Sequence, residues 1–130
     1  MVQSSKGTLY GVLCCGDNTG IFQINSAGKY KLLQQTPQGA LPATLLVVGS
    51  DGSIYGLITG SGYPGSVFAI TPQGKTIFSE ELNCATVGCE PLSLIEATNG
   101  NFYGLNFSGG TVPTGDNANG TVFKVATKRK

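Results

Sequence analysis

"DGSIYGL" at residues 51–57 is preceded by "KGTLYGV" at 6–12 and followed by "NGNFYGL" at 99–105. Each copy sets a glycine, a spacer, a large apolar residue, a tyrosine and a glycine in the same order. The tyrosines Tyr10, Tyr55 and Tyr103 stand 45 and 48 residues apart. Superposing the chain on itself at these points brings three further sets of segments into line. "GIFQI" (20–24), "GSVFAI" (65–70) and "GTVFKV" (120–125) form one set. "NSAGKYKLL" (25–33) and "TPQGKTIFS" (71–79) form another, and "LPATLLVV" (41–48) matches "EPLSLIEA" (90–97). A period of about 45–50 residues holding four short apolar segments is typical of a propeller blade.

Each segment has the composition and alternation of a strand. In "SVFAIT", Phe68 and Ile70 fall on one face, and Val67, Ala69 and Thr71 on the other. Phe22/Ile24 and Phe123/Val125 repeat the first pair, whereas the residue between them changes from Gln23 to Ala69 to Lys124. That change marks the second face as the more open one. "SDGS" (50–53), "PQGK" (72–75) and "TNGN" (98–101) are tight turns. Asp-Gly and Asn-Gly accept positive φ at both central positions, so a two-residue hairpin is expected. The glycine after each tyrosine is expected to admit a close neighbour or a bulge, and the tyrosines to pack between repeats.

The expected fold is all-β: antiparallel four-stranded blades, about three per chain, in a β-propeller-like arrangement. One repeat domain spans 1–130, with blades at about 7–34, 41–82 and 90–126. The segments number three, four and three, so blade one lacks its first strand and blade three its last. "MVQSS" at the start can fill the first gap or pair with another subunit. A propeller closes with typically four to eight blades. Three blades therefore call for completion by oligomerisation, six blades from two chains, or for a longer array.

Composition narrows the partners. Charged residues make up 12% of the 130, against roughly 25% in an average soluble protein. The net charge is +1 and the one charge run is "KRK" at 128–130, which argues against nucleic acid. The longest apolar run, "LLVV" (45–48), is strand-length, so no membrane insertion is expected, and these residues contain no signal peptide. An even count of four cysteines fits an oxidised, exported protein. Cys14 and Cys15 are adjacent, a strained pairing, whereas Cys84 and Cys89 can bond across a loop. Zinc is the rival reading for these thiols, but the chain has no CxxC pair and no histidine.

"LIEATNGNFYGLNFSGG…NGTVFKV" resembles the GloVer-type tandem repeats of bacterial surface and secreted proteins, whose units read LI-x-A-x-DGN-[LF]-YGTT-x-x-GG…GTVFK-[LI]. The match covers nearly all of residues 7–125 and is strongest at 92–125. The resemblance implies a propeller-like β-fold and an extracellular or cell-surface location, and no established reaction. Family members are usually longer arrays. Where the family has Thr-Thr after Tyr-Gly, this chain has Val12-Leu13, Leu57-Ile58 and Leu105-Asn106.

Strand direction puts the long connections, 14–19, 59–64 and 108–119, at one rim together with the links between blades. Loops on a rigid frame are where function concentrates. "GDNTG" (16–20) and "GDNANG" (115–120) offer Asp17, Asn18, Asp116, Asn117 and Asn119 to fix sugar hydroxyls. The same residues are ordinary turn formers, and they lack the dense carboxylates of calcium loops. Tyr63, at a loop tip, can lie against the apolar face of a sugar or anchor its loop. Without histidine, Ser-His-Asp chemistry and His-ligated metals are excluded. Glycosidase is the least remote activity, but no spacing among Glu80, Glu81, Glu90 and Asp116 selects a catalytic pair. No cofactor is expected. The leading expectation is a non-catalytic, lectin-like module, a homodimer in which repeated weak glycan sites supply avidity. The alternative is a structural or protein-interaction module without a small ligand.

Overall fold

Five hairpin turns of one design set the strand registers. The computed structural model describes residues 1–13, 19–35, 41–60, 63–109 and 120–126, and only the backbone of 41–44, 60 and 63. The loops 5–7, 26–28, 50–52, 72–74 and 98–100 each hold three residues between a closing pair. Before each loop the closing residue donates its N–H across the hairpin, as Gly49 does to Ser53 O at 2.8 Å. Its carbonyl accepts from the loop glycine, as from Gly52 N at 2.8 Å. The five glycines have φ of 76° to 93°. This is a tight turn followed by a left-handed glycine that forms a bulge. The expected two-residue hairpin is corrected: Asp51 and Asn99 do not adopt positive φ, and Glu90 is the only non-glycine residue that does so among those described.

Eleven strands follow among the described residues: β1 (Val2–Gln3), β2 (Leu9–Leu13), β3 (Gly20–Ile24), β4 (Tyr30–Gln35), β5 (Leu41–Val48), β6 (Ile54–Gly60), β7 (Tyr63–Ile70), β8 (Thr76–Glu81), β9 (Cys89–Glu96), β10 (Phe102–Ser108) and β11 (Thr121–Val125). No helix occurs among the described residues. The strands make three antiparallel meanders, β1-β2-β3-β4, β5-β6-β7-β8 and β9-β10-β11. The first sheet therefore has four strands. The two-residue β1 fills the expected gap, with Val2 opposite Tyr10.

The repeated Tyr-Gly has a clear structural cause. Gly11, Gly56 and Gly104 stand opposite Phe22, Phe68 and Phe123 on the neighbouring strand. In each case a Cβ on the glycine would overlap the tip of that phenylalanine ring. The glycine is the seat of the ring, a cross-strand pairing that protects a glycine from solvent and fixes register. The tyrosine beside it points to the opposite face. Tyr55 stacks on Phe102 of the third sheet at 3.8 Å between centroids and donates its hydroxyl to Asp51 Oδ2 at 3.0 Å.

Consecutive sheets pack against one another. β5 packs on β1 and β2, and β9 packs on β5, β6 and β7. One cluster, with Tyr10, Ile21, Leu46, Ile54, Phe68 and Ile70, fills the space between sheets one and two. The other, with Tyr55, Leu57, Val67, Leu94, Phe102 and Phe123, fills the space between sheets two and three. Glu96 on β9 also accepts from Ser50 N and Ser50 Oγ, at 2.7 and 2.6 Å, tying a turn of sheet two to sheet three. The expectation that Val67 and Ala69 lie on an open face is corrected: both are buried, because the middle sheet is covered on both sides.

The end sheets differ from the middle one. Leu105 and Val122 are paired across β10 and β11 as Leu57 and Val67 are across β6 and β7. Yet Leu105 is 49% and Val122 72% exposed, against 0% and 2% for Leu57 and Val67. Ile95, in the position of Val47, is also exposed. At the other end, Leu9 and Ile24 hold the places of Ile54 and Ile70 and are half-buried, where their counterparts are fully buried.

Candidate functional site

Antiparallel alternation brings the ends of β2, β6 and β10 and the starts of β3, β7 and β11 to one rim. The link from sheet two to sheet three, residues 82–88, crosses it. Leu82 is buried in the core and its N–H donates to Gly65 O at 2.8 Å. Asn83 then organises a turn: its side-chain oxygen accepts from Ala85 N at 3.0 Å, and its carbonyl from Val87 N at 2.8 Å. This local side-chain bond is why an asparagine opens the turn.

Cys84 and Cys89 come together as a disulfide across the link, with Cα atoms 4.7 Å apart. The expected pairing thus has the required backbone separation. Beyond it, Cys89 Sγ lies 3.4 Å from Ser108 Oγ, and Ser108 Oγ donates to Glu90 Oε2 at 3.2 Å. Glu90 has φ 58°, the left-handed region, where a non-glycine residue is held at a cost of order 1 kcal/mol or more.

Asn106 is the polar centre of the rim. It is 4% exposed and donates from Nδ2 to Val87 O at 2.7 Å and to Thr121 Oγ1 at 3.0 Å. The Thr121 hydroxyl donates to the same Val87 carbonyl. Asn106 Oδ1 is buried and has no donor among the described residues, and the same holds for Ser66 Oγ. The Asn106 amide and the Thr121 hydroxyl therefore tie the link to the β10–β11 pair. Elsewhere, burial pushes the Tyr10 hydroxyl above its usual pKa of 10.0.

Asp17, Asn18, Asp116, Asn117 and Asn119 lie outside the described residues. Tyr63 is placed by its backbone, as the first residue of β7, opposite Gly60 of β6. Among the described residues, no three of His, Cys, Asp and Glu come together as a metal group would need. Asn106 is a rim residue that motif reading does not single out, and Glu90 is weighed there only as one of four carboxylates whose spacing selects no pair. Asn106 had a signal: it departs from its own repeat, standing where Leu13 and Ile58 stand in the other copies. Comparison with protein-family models, with curated proteins and with solved structures gives no match for this chain.

Proposed function

We propose that this chain is a non-catalytic binding module, a self-assembling β-propeller-like ring that recognises multivalent carbohydrate through the loops of one rim. The observation that carries the assembly is the exposed face of the third sheet. Leu105 and Val122 repeat positions that the next sheet covers in the other two repeats, where Ile21, Leu57 and Val67 are buried and Val12 is partly buried. The first sheet offers the matching half, Leu9, Phe22 and Ile24, in the places of Ile54, Phe68 and Ile70. Sheet three of one copy on sheet one of another repeats the internal junction. Made twice, that contact closes six blades around two chains, within the range propellers use.

The carbohydrate reading rests on the Asp-Asn composition of the connections 14–19 and 108–119 and on repetition of weak sites as a source of avidity. The GloVer-type resemblance and the Cys84–Cys89 pair support an extracellular or cell-surface setting. A second reading, a protein-interaction scaffold, is favoured by the same apolar sheet face, since exposed apolar patches mark contact surfaces. Light scattering and a glycan array separate them. A two-chain particle that binds dense glycan surfaces, and free monosaccharide only weakly, is expected. Silence on the array removes the carbohydrate reading and leaves the scaffold, and a monomeric mass removes the ring.

A further inference from the structure

A groove of about 1060 Å³ runs between sheets two and three, along the face of β8 and the edge of β11. Its position has a meaning within the repeat. β3 carries β4 on its second edge, and β7 carries β8 on its own. β11 holds the same place in sheet three, and among the described strands only β10 pairs with it. The groove therefore lies where a fourth strand of that sheet would run. An unpaired strand edge is a template for another extended chain.

The lining states which chain fits. Tyr55, Val67, Phe78 and Phe123 supply apolar surface, and Ile77 on β8 is 51% exposed beside them. Asp51, Glu80 and Glu81 line the same groove, with Lys124 as the one cation on it among the described residues. The occupant has to present apolar side chains on one face and basic ones near the carboxylates. β4, "YKLLQQ" at 30–35 preceded by Lys29, has this character and occupies the corresponding edge of β3.

We propose that this groove is a peptide-binding site that accepts an extended segment of alternating apolar and basic residues, added to β11 as the fourth strand of sheet three. Main-chain bonds to the edge supply affinity, and alternate side chains in the groove supply specificity, as in other strand-addition complexes. The site is independent of the ring and of sugar recognition.

The test uses the full chain and a labelled peptide with the sequence of residues 28–35, GKYKLLQQ. Fluorescence anisotropy is expected to show saturable binding. A scrambled peptide of the same composition is expected to bind at least about tenfold more weakly. Strand pairing uses alternate amides, so two versions N-methylated on the odd or the even residues are compared, and at least one should lose about tenfold or more. Ile77→Glu, a change at a half-exposed side chain, should weaken binding by a similar factor while the thermal midpoint stays in place. The proposal is overturned if no saturable binding occurs, if the scrambled peptide binds equally, or if both N-methylated versions bind like the parent.

Discussion

At the scale of the residue, the glycine of each Tyr-Gly pair exists for the phenylalanine opposite. Gly56→Ala places a methyl in the volume of the Phe68 ring tip. Overpacking of this kind typically costs about 1–3 kcal/mol, and urea denaturation should show a loss in that range. The same change in a Phe68→Leu background should cost clearly less, because the ring that clashes is gone. An equal cost in both backgrounds would mean that the glycine serves the backbone and not the ring. Tyr10 yields a prediction of another kind. Burial holds its hydroxyl pKa above 10.0, so the folded state keeps that proton to higher pH than the unfolded chain does. The associated stability is fully present below pH 10 and is lost as pH rises from there through the raised folded value. Tyr10→Phe should flatten the alkaline limb of a stability-against-pH curve.

At the scale of the element, the strands were legible because four apolar segments recur with a fixed period. Alternation placed Phe68 and Ile70 together on one face, where the structure has them. The turns were legible only in part. Asp51-Gly52 and Asn99-Gly100 suit both a two-residue hairpin and a three-residue loop. What decides between them is where cross-strand pairing stops, at Gly49 with Ser53 and at Ala97 with Asn101. A dipeptide does not encode that register. β1 has two residues, too few for any period to show, and it is a strand because Val2 and Gln3 meet Tyr10 and Leu9. At the rim, the disulfide was readable from spacing. The Asn106 bond to Val87 joins residues 19 apart through the fold and was not. The link itself can be tested. Cys84 and Cys89 close a loop of sequence separation 5, for which chain entropy alone gives about 2 kcal/mol. Cys84→Ser with Cys89→Ser should lower the urea midpoint by a comparable amount with little change in slope. Hydrogen exchange should rise in the 82–88 link first, because the interior of β10 retains its pairing with β9 and β11. Uniform acceleration across all three sheets would show that the crosslink acts on the whole fold and not on the rim.

At the scale of the molecule, the proposed ring makes the two end sheets the separated halves of one interface. Sheet two presents Ile54, Phe68 and Ile70 to Tyr10 and Ile21 of sheet one. The outer face of sheet one carries half-buried Leu9 and Ile24 beside the buried Phe22, and that of sheet three carries half-buried Tyr103 with exposed Leu105 and Val122. A head-to-tail contact between copies thus needs no new chemistry, only the packing already used inside the chain. It also makes the ring sensitive to a charge on either open face. Val122 is 72% exposed in the single chain, so Val122→Glu should leave the fold and the thermal midpoint of the dissociated chain nearly unchanged. In a ring the same carboxylate would be taken from water into an apolar junction without a partner, which costs at least several kcal/mol or forces the contact apart. Sedimentation should therefore show the two-chain particle of the parent replaced by single chains in the variant, with the same β spectrum in circular dichroism. Val67→Glu is the control: it buries its charge between sheets two and three of one chain and should unfold the protein outright. If Val122→Glu sediments as the parent does, the third sheet's open face takes no part in assembly, and the ring reading fails at its one structural support.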